Sequence, residues 1–295
     1  MTKNCLCIDV GGGSIKYAVI TERKDLKYHN SVKTPYEGLE TYLELLVSIY
    51  EPFVEEVDGI SLAVPGIIDP IDGICLSGGN LTYADGVHLV DELEERCQTK
   101  VKIINDAKAA ALAEVGWGNL NRVKDAIVLV LGTAVGGALI VDGKIHNGYH
   151  FSAGEFSYMI CGDSVDSPDN LWWGINGNER LRRRVAQAKG LDKNYITGEQ
   201  IFELLESGDK QIEHILNDFT AHLAKMVMNL QFMFDPEKIA IGGGISRQPK
   251  LFEYIQKQLD YLYAIYPYRV SPAKVVNCKF FNEANLIGAY LNFYS

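Results

Sequence analysis

Three glycine clusters, each at the end of an apolar run, are the first places in this 295-residue sequence where chemistry could be done. Gly11-Gly12-Gly13-Ser14 follows Asp9-Val10. Gly132-Thr133 and Gly136-Gly137 follow the apolar residues 127–131, and Gly242-Gly243-Gly244 follows Ile239-Ala240-Ile241. Glycine lets backbone N–H groups approach an anion closely, so a tight turn of such residues can form a nest for phosphate. One cluster alone reads as an ordinary hairpin turn. Three, two of them alike, point to a nucleotide whose phosphates are contacted from both sides. The spacing fits neither the Walker pattern nor a Rossmann glycine motif that opens a helix. Lys16 is available for phosphate, and Asp9 opens the first cluster.

Three further side chains could act on a polyhydroxyl substrate. Asp106 ends an apolar run and begins a helix-prone one. A carboxylate there serves as a helix N-cap or as the general base that takes a hydroxyl proton while a phosphoryl group moves onto the oxygen. Asn105 beside it can donate to or accept from a sugar hydroxyl. Glu155, in Ser152-Ala153-Gly154-Glu155-Phe156, is either a surface carboxylate or, in a pocket, the acceptor for a pair of vicinal hydroxyls. Asn80, after Gly78-Gly79, is a turn residue or a weaker contact of the same kind.

The elements that must position these groups can be read from periodicity. Residues 4–20 read as strand, glycine turn and strand, the turn being one that only glycine folds tightly. Leu39, Tyr42, Leu43, Leu46, Ile49, Tyr50, Phe53 and Val57 recur at helical steps and predict an amphipathic helix ending near Asp58-Gly59. Strands are expected over 60–64 and 101–104, the second leading through Asn105-Asp106 into a helix over 107–114. Residues 127–141 repeat the opening hairpin, which predicts two related α/β halves. Residues 162–177 read as a long irregular loop. A helix is expected over 211–234, stopped by Asp235-Pro236, and another after Gln248. The boundary is placed at residue 116, giving domains 1–116 and 117–281, with a last helix within 282–295 packing back on the first.

Composition limits the partners. With 28 Lys plus Arg against 38 Asp plus Glu, the net charge is −10. The basic residues Arg180, Arg182, Arg183 and Arg184 form only a short group that suits one solvated helix face. Nucleic acid and anionic membrane are therefore not expected as main partners. No apolar run reaches the roughly 20 residues of a membrane helix, and no signal peptide is evident, so a cytoplasmic location is expected. The cysteines Cys5, Cys7, Cys75, Cys97, Cys161 and Cys278 lack metal-ligand spacing and read as reduced, mostly buried apolar side chains.

Together these motifs resemble the ROK group of sugar kinases and repressors, which has the actin-like, ribonuclease H-like ATPase fold: two related α/β domains around a cleft. The resemblance covers nearly the whole chain. Asp9-Val10-Gly11-Gly12-Gly13-Ser14-Ile15-Lys16 is similar to its first phosphate motif, and Val64-Pro65-Gly66-Ile67-Ile68-Asp69 to the segment before its sugar loop. The run from Asn105-Asp106 to Glu114 resembles the motif of the catalytic aspartate. Leu131-Gly132-Thr133 through Gly137 resembles the second phosphate motif, Ala153-Gly154-Glu155 the sugar segment, and Ile239 through Gly244 the adenosine motif. The resemblance implies that Asp106 is the base and that Asn80, Asn105, Asp106, Glu155 and Tyr158 bind sugar. It places Asp9, Gly11, Gly12, Lys16, Gly132, Thr133, Gly242 and Gly243 around ATP, with Mg²⁺ near Asp9, and it implies a homodimer.

Departures from the family pattern shape the expected substrate. Members with a structural zinc carry a Gly-His pair where Ser157-Tyr158 stand here, and a cysteine-rich stretch where Cys161 is alone, so no zinc is expected. The family's second sugar glutamate has no counterpart, and Trp172-Trp173 occupy the comparable place. Their rings read as packing or as a stacking platform for a second sugar or aglycone, which points toward β-glucosides. Lys108 replaces a frequent second Asn. The expected activity is transfer of the γ-phosphate of ATP to a sugar hydroxyl, the 6-hydroxyl, with glucokinase, fructokinase or N-acetylmannosamine kinase as alternatives. A non-catalytic sugar sensor is a further alternative. A repressor is disfavoured because the first phosphate motif opens at Asp9, with no helix-turn-helix ahead of it.

Overall fold

The computed structural model of the protein describes residues 3–162, 166–192, 196–266 and 271–295. Two compact units divide the chain. Met1–Gly116, Asn147–Ser152 and Glu283–Ser295 form the first, and Trp117–His146 with Ala153–Asn282 the second.

The first unit opens with β1 (Asn4–Val10), β2 (Ser14–Thr21) and β3 (Leu26–Lys33), followed by α1 (Leu39–Tyr50) and β4 (Gly59–Val64). A small ribbon, β5 (Ile67–Asp69) and β6 (Ile74–Ser77), precedes α2 (Leu89–Cys97), β7 (Lys100–Asn105) and α3 (Asp106–Trp117). The sheet order is β3-β2-β1-β4-β7, with β1, β4 and β7 parallel and the two hairpin strands antiparallel. Every residue of β1 after Asn4 is buried, as expected of a strand covered on both faces. Leu6, Ile8 and Val10 meet the core under α1 and α2, while Cys5 and Cys7 share the opposite face. Burial holds the Cys7 thiol well above its ordinary pKa, consistent with an inert apolar role.

The second unit repeats this plan. It contains β8 (Ala126–Leu131), β9 (Val135–Val141) and β10 (Lys144–His146), then α4 (Trp172–Asn176), α5 (Asn178–Lys189), α6 (Gly198–Glu206) and α7 (Lys210–Phe234). β11 (Lys238–Gly242), α8 (Pro249–Ile265) and β12 (Val275–Asn277) complete it, and α9 (Ala284–Phe293) returns to pack on β1, β4 and β7 of the first unit. Its sheet order, β10-β9-β8-β11-β12, has the same antiparallel pair and the same three parallel strands. The repeat visible in the two hairpins thus extends to both whole sheets. Among the described residues, no helix is long and apolar enough to cross a membrane.

Several expectations are corrected. The first helix stops at Tyr50 rather than near Asp58 and passes into a 3₁₀ turn over Glu51–Phe53. Pro52 has no N–H to donate to the Ser48 carbonyl, and its ring would strike that carbonyl in a continued α-helix. Phe53 still reaches the core, so the apolar period outlasts the helix. Residues 162–177 are not wholly irregular, since they include α4; Asp163, Ser164 and Val165 lie outside the described residues. Trp172 is 0% exposed, and its indole N–H donates to Asn176 Oδ1 at 2.9 Å. Asn176 in turn donates to the Phe219 carbonyl at 2.8 Å, and Phe156 meets Trp172 edge-on at 5.9 Å. Trp172 is therefore core packing and offers no face to a ligand.

Candidate active site

In each unit the parallel strands end along one edge, and the candidate residues are collected there. Asp9 pairs in register with Ala63 of β4, and Ala63 with Ile104 of β7. Two residues beyond Ile104 stands Asp106. Two strand spacings separate the β1 and β7 backbones, so Asp9 and Asp106 lie on one edge roughly 10 Å apart in the sheet direction.

Asp9 is 6% exposed, and both carboxylate oxygens are engaged. Lys16, opposite it across the hairpin, places Nζ 3.3 Å from Oδ2, and Asn285 in the first turn of α9 donates to Oδ1 at 2.8 Å. Asn285 was not legible as a partner, because 276 residues separate it from Asp9. The glycine loop contradicts one expectation. None of Gly11, Gly12 and Gly13 has a positive φ, and an added Cβ on Gly13 would meet nothing within 4 Å. The turn does not demand glycine for its backbone conformation; the missing side chain leaves open space at Gly13, whereas a Cβ on Gly11 would stand 3.0 Å from the Ser14 carbonyl. A Cβ on Gly12 would stand 3.8 Å from Nδ2 of the exposed Asn80, so Asn80 and the glycine loop are neighbours.

Asn105, rather than Asp106, caps α3. Its Oδ1 accepts from the Lys108 N–H at 3.0 Å, and its Nδ2 donates to the Gly66 carbonyl at 2.8 Å. Asn105 is 4% exposed, and its Oδ1 and one Nδ2 hydrogen are used in fixing the turn that presents Asp106. The half-buried Asp106 accepts from the N–H of Ala107 through Oδ1 at 2.7 Å. Lys108 points inward: its side chain is buried and its ammonium donates to the Phe151 carbonyl at 2.6 Å. It ties down the returning segment Asn147–Ser152, in which Phe151 has φ +60°.

In the second unit β8 and β11 are adjacent and parallel, with Val130 opposite Gly242, so Gly132-Thr133 and Gly243 share an edge. The Gly132 carbonyl accepts from the N–H of Asn178 at the start of α5 at 2.8 Å, and Thr133 is exposed. Gly243 has φ +91°, and an added Cβ would overlap the Leu131 carbonyl, so here glycine is required by the chain itself. Its own carbonyl accepts from the Ser246 N–H at 3.1 Å and from Oγ at 2.7 Å.

The segment bearing Glu155 and Tyr158 is fastened to β9. Ser157 Oγ donates to the Val135 carbonyl at 2.9 Å and accepts from the Val135 N–H at 3.2 Å. Gly154 lies so close to β9 that an added Cβ would stand 2.9 Å from Ala138 Cα. Glu155 is half-buried, and Tyr158 is 66% exposed. Asn80, Asn105 and Asp106 belong to the first unit, whereas Glu155 and Tyr158 belong to the second. Burial pushes the Cys161 thiol up to about 11. Among the described residues no group of three or more His, Cys, Asp or Glu could hold a metal ion.

If Asn105 acts as the cap of α3, Asn105→Ala lowers the unfolding free energy by about 0.5–2 kcal/mol, and Asn105→Asp, which keeps an acceptor, loses less. Urea denaturation followed by circular dichroism checks this. An Asn105→Ala midpoint equal to that of the parent would contradict the capping role.

Comparison with known proteins agrees with this geometry. The sequence profile of the ROK family matches residues 5–293. A beta-glucoside kinase of Klebsiella pneumoniae is 33% identical over 240 residues, covering 80% of this chain and 78% of that protein. A beta-glucoside kinase of Listeria innocua is 30% identical over 292 residues, covering 97% of this chain and 95% of that one. Among solved structures, a ROK family protein from Streptococcus pneumoniae in complex with sucrose matches with a TM-score of 0.88 at 27% identity, covering 98% of this chain and 97% of its own. With a match that runs from the first strand to the last helix, the chain belongs to the ROK family and has its actin-like, ribonuclease H-like ATPase fold.

Proposed function

We propose that this protein is an ATP-dependent sugar kinase in which Asp106 takes the proton of the accepting hydroxyl, the 6-hydroxyl of a hexose unit. The observation that carries this reading is the shared edge of β1 and β7, where a glycine loop open to an anion and a helix-initiating carboxylate stand two strands apart. As the sugar oxygen attacks the γ-phosphorus, its O–H bond breaks toward Asp106. The β,γ-bridging oxygen departs with the P–O electron pair as ADP.

The remaining residues bind and orient. Gly11, Gly12, Gly132, Thr133, Gly242 and Gly243 line the nucleotide, with Lys16 near its phosphates. Asn80, Glu155 and Tyr158 face the sugar. Asn105 holds the Asp106 turn, and its remaining amide hydrogen is what it has to offer a hydroxyl. Mg²⁺ uses one or two carboxylates beside substrate phosphates rather than an all-protein cage, and Asp9 is the carboxylate for it here, with Lys16 and Asn285 each leaving an oxygen lone pair to share. Mg²⁺ bound there would neutralise charge on the transferring phosphate.

β-Glucosides are the proposed acceptors. Trp172 is buried and cannot stack on an acceptor, which leaves only the half-buried Trp173 of that pair. The names of the two kinases similar to this chain support β-glucosides. A homodimer is also proposed from the family resemblance, and the exposed Phe232 and Met233 on α7 and Tyr261 and Ile265 on α8 supply apolar surface for one.

Three outcomes are expected. Asp106→Asn lowers kcat by about 10²–10⁴ with sugar affinity largely kept; near-parental turnover would remove Asp106 from the reaction. In an ADP-release panel, kcat/KM for cellobiose or an aryl β-glucoside exceeds that for glucose, fructose and N-acetylhexosamines by at least about tenfold. A preference for a free hexose or an N-acetylhexosamine would keep the kinase and overturn the acceptor. Sedimentation velocity gives twice the 32.8 kDa of the chain, and a monomer at all concentrations would sink the dimer.

A further inference from the structure

The carbonyls of the first glycine loop are all held from one side by a short segment that sequence motifs do not mark. Thr34 Oγ1 donates to the Gly11 carbonyl at 2.6 Å, Tyr36 Oη to the Gly12 carbonyl at 2.6 Å, and the Thr34 N–H to the Gly13 carbonyl at 3.4 Å. In a planar trans peptide the C=O of one residue and the N–H of the next point in opposite directions. Fixing the Gly11 and Gly12 carbonyls therefore turns the N–H groups of Gly12 and Gly13 away from the segment. No acceptor for either N–H is found among the described residues. With open space over Gly13, the loop presents donors and no side chain, which is the form of an anion nest.

The segment is itself anchored. Thr34 is 1% exposed, so its hydroxyl has few alternatives to the Gly11 carbonyl. Between Thr34 and Tyr36, the Pro35 carbonyl accepts from Tyr83 Oη at 2.9 Å. Tyr83 lies three residues beyond Asn80, and its ring meets that of the buried Tyr42 at 5.6 Å. The same three residues thus join the glycine loop to the loop that carries Asn80. Tyr36 is 58% exposed, so its hydroxyl gives up solvent to bind Gly12, and an added Cβ on Gly12 would stand 3.6 Å from that hydroxyl and 3.8 Å from Asn80 Nδ2.

We propose that Thr34 and Tyr36 are positioning residues that pre-organise the Gly11–Gly13 loop for the polyphosphate of the nucleotide. They act through backbone carbonyls and do not touch the phosphate. The proposal rests on the kinase reading for the identity of the anion. Pre-organised donors cost no rearrangement when the anion arrives, so losing a clamp bond weakens phosphate binding specifically.

The test is nucleotide binding by isothermal titration, without turnover, for Tyr36→Phe, Thr34→Val and Thr34→Ser, with adenosine as a phosphate-free probe. Tyr36→Phe keeps an exposed ring and removes only the hydroxyl, so it folds even if the buried Thr34→Val does not. Each loss of a hydroxyl weakens ADP and the ATP analogue AMPPNP by about three- to tenfold, the range of one hydrogen bond. Adenosine affinity stays within about twofold, and Thr34→Ser, which keeps the hydroxyl, binds ADP at the parental level. Parental ADP affinity in Tyr36→Phe, or equal losses for ADP and adenosine, overturns the clamp while leaving the kinase standing. A parental protein that binds no nucleotide overturns both.

Discussion

Parallel pairing within each sheet is the constraint on which the rest depends. Strands β1, β4 and β7 run in one direction, as do β8, β11 and β12, so each set delivers its carboxyl ends to one edge. In open α/β sheets that edge is where ligands bind, because loops leave the strands there and helices begin there. Asp9 and Asp106 in the first unit, and Gly132 and Gly243 in the second, are placed by these ladders, whereas Asn80, Glu155 and Tyr158 lie in the connections between strands. A one-residue slip of β7 against β4 would move Asp106 off the row set by Asp9 and turn its neighbours to the other face.

Glycine serves two different ends along those edges. At Gly243 the backbone has a positive φ and would collide with Leu131 if it carried a side chain, so the residue is required by the fold. At Gly12 and Gly13 the backbone is ordinary, and hydrogen bonds from Thr34 and Tyr36 define the loop. Equal glycine clusters in the sequence thus conceal unequal roles. The loop whose backbone does not require glycine at Gly12 and Gly13 is the one proposed to receive a ligand.

The legible part of the structure is what local pattern controls. The hairpins after Asn4 and Ala126, the helix over Lys210–Phe234 and the junction at Asn105-Asp106 follow from apolar periods and turn residues. β3 escaped notice because it is an edge strand with mostly exposed residues, and β5 and β6 because they are too short to show a period. The candidate site residues stand out by type, but their division of labour does not. Asn105 and Asp106 are equally able to cap a helix, and only the register of α3 shows that Asn105 does so. Thr34 and Tyr36 lie in Lys33-Thr34-Pro35-Tyr36, which has no period, and their partners are 23 and 24 residues away. Lys108 and Asn285 are similar: their contacts with Phe151 and Asp9 are created by tertiary packing alone.

The central claim is that this protein transfers a phosphoryl group from ATP to a sugar. The most direct measurement follows ATP·Mg²⁺ and cellobiose with the intact protein by ³¹P NMR. The account predicts that ADP and a sugar 6-phosphate monoester appear in equal amounts, with no free phosphate beyond the protein-free control. ADP accompanied by inorganic phosphate instead of the sugar ester would contradict it, as would no ADP with cellobiose or any other sugar of the panel.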